Sequence, residues 1–386
     1  MSEYQYYEFR AIDRPLSEAD RAALRELSSR ADITSTRFTN EYHFGDFRGD
    51  PRAMMARWFD LHLYLANWGT RRIMIRIPKR LLDASRLDEF VSEVDEVEIH
   101  ESGQNLIVDI GFYPEESEFG YHDDDGDGEG WLDSIAPLRN DLLAGDLRLF
   151  YILWLTAVQR NFFLDHRPEP LCGIGPLSAP MKSFAEFFNI DKDLLQAAAE
   201  SPDGTDSGVS LAEVSRDVIQ SIPEDEKSAL LLQLINGDPL VAPELWNKIR
   251  AARAALEGRS GRKQRTVSDL RKRSLAIREE RKAEEAKRRA ERRRREAQEA
   301  ARAQRARLAS MKRRGERVWD EVEREIEYRN GQSYDRATAL LVDLRTLAQE
   351  MGTEVAFARR VQSIRERHAR KHGFIKRLDG AQIGLG

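Results

Sequence analysis

The sequence predicts an α+β protein in four parts: an N-terminal mixed α+β domain, a helical middle domain, a long single charged helix and a small C-terminal helical bundle. Three observations lead there. Strand-like alternation and amphipathic helical spacing interleave over the first 112 residues. All 13 prolines lie at or before Pro243. No glycine falls between Gly261 and Gly315, a stretch dominated by arginine, lysine, glutamate and alanine.

In the front part, the aromatic-rich residues 4–12 read as a strand, and Ser17 caps a helix running to about Arg30. Residues 36–44 alternate, with Phe38, Tyr42 and Phe44 on one side and Arg37, Glu41 and His43 on the other. A turn over Gly45–Pro51 opens a helix expected to run through Met54, Met55, Trp58, Leu61 and Leu65 to Gly69. Ile73, Ile75 and Ile77 share one face of a strand that Pro78 ends. Residues 97–100 and 106–112 form a hairpin turning at Ser102–Gly103. These elements make residues 1–112 an α+β domain. An acidic loop follows at 113–130, then a helical domain at 131–248. Its helices are expected at about 138–163, 181–200 and 223–235, the last with Ser221 and Glu224 in capping-box spacing. Between them RPEPLCGIGPLSAP is extended loop, and SPDGTDSG an exposed one.

The long charged helix is placed at 249–315. Residues 262–314 hold 22 Lys+Arg against 8 Asp+Glu and no helix breaker, so one unbroken helix about 80 Å long is expected there. Pairs such as Glu284–Arg288 and Glu291–Arg295 support it at i,i+4 spacing. Alanines 283, 286, 290, 297 and 300 approximate a coiled-coil heptad, but Arg293 falls at a core position, which opposes a strong dimer. Residues 316–386 return to apolar stripes: Val318–Val322–Ile326, Leu340–Leu344–Leu347 and Phe357–Val361–Ile364. Three short helices of this kind bury a common core only by packing together.

Composition narrows the function. One cysteine, Cys172, excludes an intramolecular disulfide and cysteine-pair zinc sites, and no complete ligand set for a cofactor is present. The opening MSEYQYYEFR lacks a basic-then-apolar leader, and the longest apolar run, Leu149 to Val158, is half a membrane span. A cytoplasmic, non-membrane protein is expected. The net charge of −5 hides a split, −22 over residues 1–248 and +17 over 249–386. That asymmetry permits contact with a polyanion, or attraction between the halves within or between chains.

Several stretches resemble a widespread bacterial family of uncharacterised proteins: YYEFRAIDRPL, NEYHFGDFRGDP, FDLHLYLANWGTRRIMIRIP, LLAGDLRLFYILWL, RTVSDL, YDRATALLVDLRTLAQ and RHARKHGFIKRLD. The tail is also similar to the helical segment that follows SWIM-type zinc fingers, without the cysteines of the finger. The resemblance implies this architecture and no activity.

Candidate chemistry is sparse. Asp123, Asp125, Asp127 and Gly128 echo a calcium loop, but Ser134 stands where the bidentate glutamate belongs, so a solvated acidic loop is the better reading. His368 and His372 are four apart on an expected helix, with Arg367, Arg370 and Lys371 opposing a cation; His368 continues the Phe357–Ile364 stripe and reads as packed. Cys172 has no partner base, and CGIGPLSAP lacks the Lys-Ser/Thr of a phosphate loop. The polar cluster of His43, Asp46, Asp60, His62, Arg71 and Arg72 offers histidine beside carboxylates, with Asp60 and His62 expected on a helix. Its rival explanation is turn and packing chemistry. Finally, Arg288, Arg292, Arg293, Arg294 and Arg295 ring the charged helix. They suit a solvated spacer, or phosphate contacts without base stacking. The sequence thus favours a non-enzymatic interaction or scaffold protein with a protein partner. The alternatives are nucleic-acid association through the basic helix and an enzyme site in the N-terminal domain.

Overall fold

A computed structural model describes residues 3–82, 84–113, 128–200, 211–259 and 264–383. The chain divides into two compact units, Met1–Arg281 and Lys282–Gly386. The first is α+β, built on seven strands: β1 (Gln5–Arg10), β2 (Asp32–Ile33), β3 (Arg37–Tyr42), β4 (Leu61–Ala66), β5 (Arg71–Pro78), β6 (Val97–Ser102) and β7 (Asn105–Phe112). They lie in the order β2-β3-β1-β4-β5-β7-β6, each pair antiparallel. The expected hairpin is β6–β7.

Alternation sends Tyr7, Phe9, Phe38, Met74 and Ile107 to one face, where α1 (Glu18–Leu27) and α2 (Pro51–Arg57) cover them with Leu24, Met54 and Met55. Ser17 and Asp20 close a capping box on α1, and Asp50 caps α2. The opposite face carries Leu61, Leu63, Leu65, Ile73, Ile75, Ile77, Val108 and Ile110. A helical layer buries it: α3 (Asp88–Val91), α4 (Trp131–Ile135), α5 (Pro137–Leu143), α6 (Arg148–Gln159), α7 (Ala179–Phe187) and α8 (Lys192–Ala199). Leu149 to Val158 is therefore a buried helix, with Trp154 fully enclosed. Among the described residues, no helix is long and apolar enough to cross a membrane.

Two expectations fail here. The helix expected through Leu61 and Leu65 stops at Arg57, and those leucines belong to β4. A strand covered on both faces is apolar nearly throughout, and periodicity alone cannot separate it from a buried helix. Nor do residues 1–112 and 131–248 own separate cores: sheet and helical layer share one, which also takes in Val267 and Leu270.

Beside that core, α9 (Leu211–Ser221), α10 (Glu224–Ile235) and α11 (Val241–Arg259) carry a small cluster of Ile222, Leu230 and Val241, with Val214 and Ile249 also buried. The expected capping box is not formed, because Ser221 closes α9 with its hydroxyl donating to the Val218 carbonyl. The charged helix also differs from expectation. α11 ends at Arg259, residues 264–266 are non-helical, and α12 runs from Val267 to Arg314. RTVSDL explains its start. Thr266 and Asp269 exchange capping-box hydrogen bonds, while Val267 and Leu270 are fully buried. Arg265 forks onto the buried Glu169 carboxylate and donates to the carbonyls of Ala197, Ala198 and Glu200 at the end of α8. Gly173, at φ +80°, passes beneath, and a Cβ there would lie 3.3 Å from the Arg265 guanidinium.

In the second unit, α13 (Glu316–Glu327), α14 (Gly331–Met351), α15 (Glu354–Arg367) and α16 (His372–Gly380) pack around Val318, Val322, Ile326, Leu341, Val361 and Phe374, with Met311 of α12. There are four short helices rather than three, since HGFIKRLDG forms its own turn of core through Phe374 and Leu378.

Leu270 fixes the root of α12 to the sheet unit. Leu270→Ala should lower stability by about 2–5 kcal/mol, read as a displaced urea midpoint with an unchanged slope.

Candidate functional site

Strand alternation sets the polar cluster on the α1/α2 face of the sheet. His62 on β4 is fully buried, its ring stacked 4.0 Å from that of Phe9 on β1. Nδ1 lies 3.0 Å from the Glu8 carbonyl, so it carries the proton, and Nε2 is left as an unpartnered lone pair. Burial, reinforced by the Arg72 charge, pushes the imidazole down to about 3. It is neutral at any physiological pH.

Asp60 precedes β4 rather than lying on a helix, and is fully buried. It accepts from Arg76 (2.7 Å) and from the amides of Ile12 (2.6 Å) and Asp13 (2.9 Å). Burial alone would raise its pKa, but Arg76, those two amides and Arg139 outweigh it and hold the carboxyl below the ordinary value. Arg139, buried on α5, forks onto Asp13. Arg72 forks in the same way onto Asp109 of β7, which also accepts from Arg52.

The remaining members are dispersed. His43 is exposed, its ring near Tyr4. Asp46 accepts from Gln5 Nε2 at 3.0 Å, while Gln5 Oε1 takes the hydroxyls of Tyr7 and Tyr64. Arg71 points to the other layer, over the Phe187 ring. Among the described residues, neither His43 nor His62 hydrogen-bonds a carboxylate, and the acid–base pair considered from the sequence does not form.

Sequence reasoning missed the ion pairs that organise the sheet, including those on its opposite face. Glu8, fully buried in β1, holds Arg10 and Arg37 and accepts from the Tyr6 hydroxyl. A carboxylate inside an apolar strand, as in YYEFR or IVDIG, was the available signal. Glu98, His100 and Asp109 form the one metal-like set among the described residues, their ligand atoms within 4.8 Å. Arg52 and Arg72 already donate to those carboxylates, so the positive charge is supplied by protein.

Arg288, Arg292, Arg293, Arg294 and Arg295 are all exposed on α12. Arg288 pairs with Glu284 at 3.2 Å and Arg292 with Glu296 at 3.6 Å, surface contacts of little energy. Much of the expected positive charge is engaged elsewhere. Arg265, Arg271, Arg273, Arg278 and Arg281 pair with Glu169, Asp165, Glu200, Asp191 and Asp193 in the first unit. Residues 282–307 keep 11 basic and 5 acidic residues, a far thinner excess than the one read over 262–314.

His368 and His372 do not share a helix: His368 caps the end of α15, with Nε2 2.7 Å from Glu323, and His372 begins α16. Cys172 is half-buried. The run Asp123 to Asp127 and the stretch 201–208 lie outside the described residues. No family model, curated protein or solved structure matches the chain.

The buried imidazole makes stability depend on pH. Unfolded, His62 takes a proton near pH 6.5; folded, it refuses one until about 3. Protons therefore favour the unfolded state across that window, and stability falls on acidification by up to about 1.4 kcal/mol per pH unit. Denaturation midpoints between pH 6 and 4.5 should fall more steeply in the parent than in His62→Phe.

Proposed function

We propose that this protein is a non-enzymatic interaction or scaffold protein in which the charged helix serves as a spacer. One observation carries the reading. Buried side chains on α12 occur in its first turns, at Val267, Leu270, Ser274 and Ile277, and again at Leu308 and Met311, while residues 282–300 are exposed throughout. A helix that is polar all round and dry only at its ends suits bridging rather than core formation. The polar cluster supports the same reading from the other side, since Asp60 is held by Arg76, Asp46 by Gln5, and its one buried histidine is neutral.

Nucleic-acid association is the second reading, favoured by the exposed run Arg292 to Arg295. The reduced charge of 282–307 and the absence of aromatics there speak against it. Gel-shift titrations with duplex DNA and single-stranded RNA at two salt levels decide between them. The intact protein should bind no better than the ~10⁻⁴–10⁻⁶ M of non-specific contact at about 150 mM salt. Changing Arg292 to Arg295 to glutamine should leave that weak binding nearly unaltered. Sub-micromolar, salt-steep binding lost in the variant would establish the polyanion reading instead.

Shortening the helix provides a second check. Removing residues 284–297, about four turns, takes away no buried side chain. The thermal midpoint should move by less than about 2 °C, the scale of surface changes. A large loss would mean that the exposed stretch is structural.

A further inference from the structure

Among the described residues two apolar surfaces are left uncovered, and their borders differ in sign. The first is on α10. Leu230 is buried, but Leu231, Leu232, Leu234 and Ile235 are 60%, 61%, 57% and 79% exposed. At 100° per residue these four cover one continuous arc of about 160°, beside the edge that Leu230 buries. A helix apolar around most of its circumference belongs in a core or an interface. Its border has an acidic excess: residues 211–238 hold six carboxylates against Arg216 and Lys227, and although Lys227 pairs with Glu224, Lys248 with Glu226 and Arg80 with Asp238, Asp225 stands exposed at the start of α10.

The second is a cleft of about 430 Å³ in the C-terminal unit, floored by Met311, Trp319, Leu344, Leu347, Met351 and Phe357. Met351 stands 51% exposed at its lip. Lys312 and Arg360 edge the cleft, and Arg313 and Arg314 adjoin it; Arg360 pairs with Glu316 and Arg314 with Glu321, so the excess positive charge of the rim is that of Lys312 and Arg313. An apolar trough with a basic rim is the complement of an apolar helix with an acidic border.

We infer that the occupant of this cleft is α10 of a second copy of the chain. The contact is of the helix-in-groove kind, with Leu231, Leu234 and Ile235 as i, i+3, i+4 anchors. Glu224 and Asp225 lie toward Lys312 and Arg313, where opposite charge favours this docking over an α10–α10 pairing that would bring the acidic borders together. The association is heterologous, joining a patch on one molecule to a different patch on the next. This rests on the interaction-protein reading and names its first partner.

Heterologous contact makes a prediction that symmetric contact does not. Leu231→Glu/Ile235→Glu removes the helix surface, and Lys312→Glu/Met351→Glu removes the groove. All four side chains are exposed, so both variants should keep the parent circular dichroism spectrum; Leu231→Ser/Ile235→Ser replaces the first if glutamate disturbs α10. Sedimentation velocity of the full chain up to about 100 µM should show the parent associating and each variant monomeric, weakened at least about tenfold. An equimolar mixture of the two variants should recover a 1:1 complex, because each retains the surface the other lacks. A monomeric parent at the highest concentration overturns the inference. So does an associating parent whose variants still associate, or whose mixed variants remain monomeric, as a symmetric contact requires. Either result leaves binding to a different protein through α12 or the bundle unaffected, so the scaffold reading stands or falls separately.

Discussion

The architecture of the first unit hinges on the pair formed by Arg265 and Glu169. Glu169 is fully buried, and a carboxylate in that position is tolerable only when its charge and lone pairs are met. Arg265 meets both oxygens, and the Tyr151 hydroxyl from core helix α6 donates to one of them. The same guanidinium satisfies three carbonyls at the end of α8, groups a helix terminus otherwise leaves to water. One side chain thus ties the central helix, the end of another and the residue that precedes α12. Because Thr266 starts α12 directly after it, that lock fixes where the helix begins on the first unit.

The same device recurs across the molecule. Asp60 with Arg76, Asp109 with Arg72, Asp13 with Arg139 and Asp193 with Arg281 each join elements distant in sequence. Forked guanidinium–carboxylate contacts fix orientation as well as distance, which a purely apolar core does less well. This reuse explains a feature of composition that first resembled functional chemistry. Charged residues in and beside the strands fix one strand against the next, as Asp109 with Arg72 and Asp60 with Arg76, and each of these carboxylates is held by an arginine. It also accounts for part of the charge split along the chain, since five arginines at 265–281 answer acids at 165–200 of the same unit.

How much of this was legible follows from which physical rule governed each element. Strands with a clear pattern (residues 4–12, 36–44 and RIMIRIP) and the helix capped by Ser17 could be read directly, because pattern and local chemistry agree. Leu61 and Leu65 could not, since burial on both faces erases the period that separates strand from helix. The start of α12 was set too early because absence of glycine and proline permits a helix without requiring one. Arg265 is extended there by its tertiary contacts, which no local rule records. Asp60 and His62 were assigned to a helix and hence to a possible site. Once β4 is a strand, His62 points into the Phe9 and Tyr7 rings, and its neighbours are decided by cross-strand register rather than by sequence spacing.

The contrast between the two ends of α12 and its middle bears on function through energetics. Burial at Val267, Leu270 and Ile277 fixes where the helix is anchored, and arginine forks fix its azimuth. Between residues 282 and 300 neither constraint operates, and within the fold helix propensity and solubility are what remain to shape the sequence. Alanine with mixed charges satisfies both, which is the composition found. Sites that bind partners obey a third requirement, a surface whose burial gains more than its solvation loses. The exposed leucine arc of α10 and the aromatic-lined cleft of the C-terminal unit are apolar surfaces of that kind, whereas residues 282–300 expose mainly charge and alanine. Under the reading proposed above, recognition falls to those apolar surfaces and the charged helix separates them.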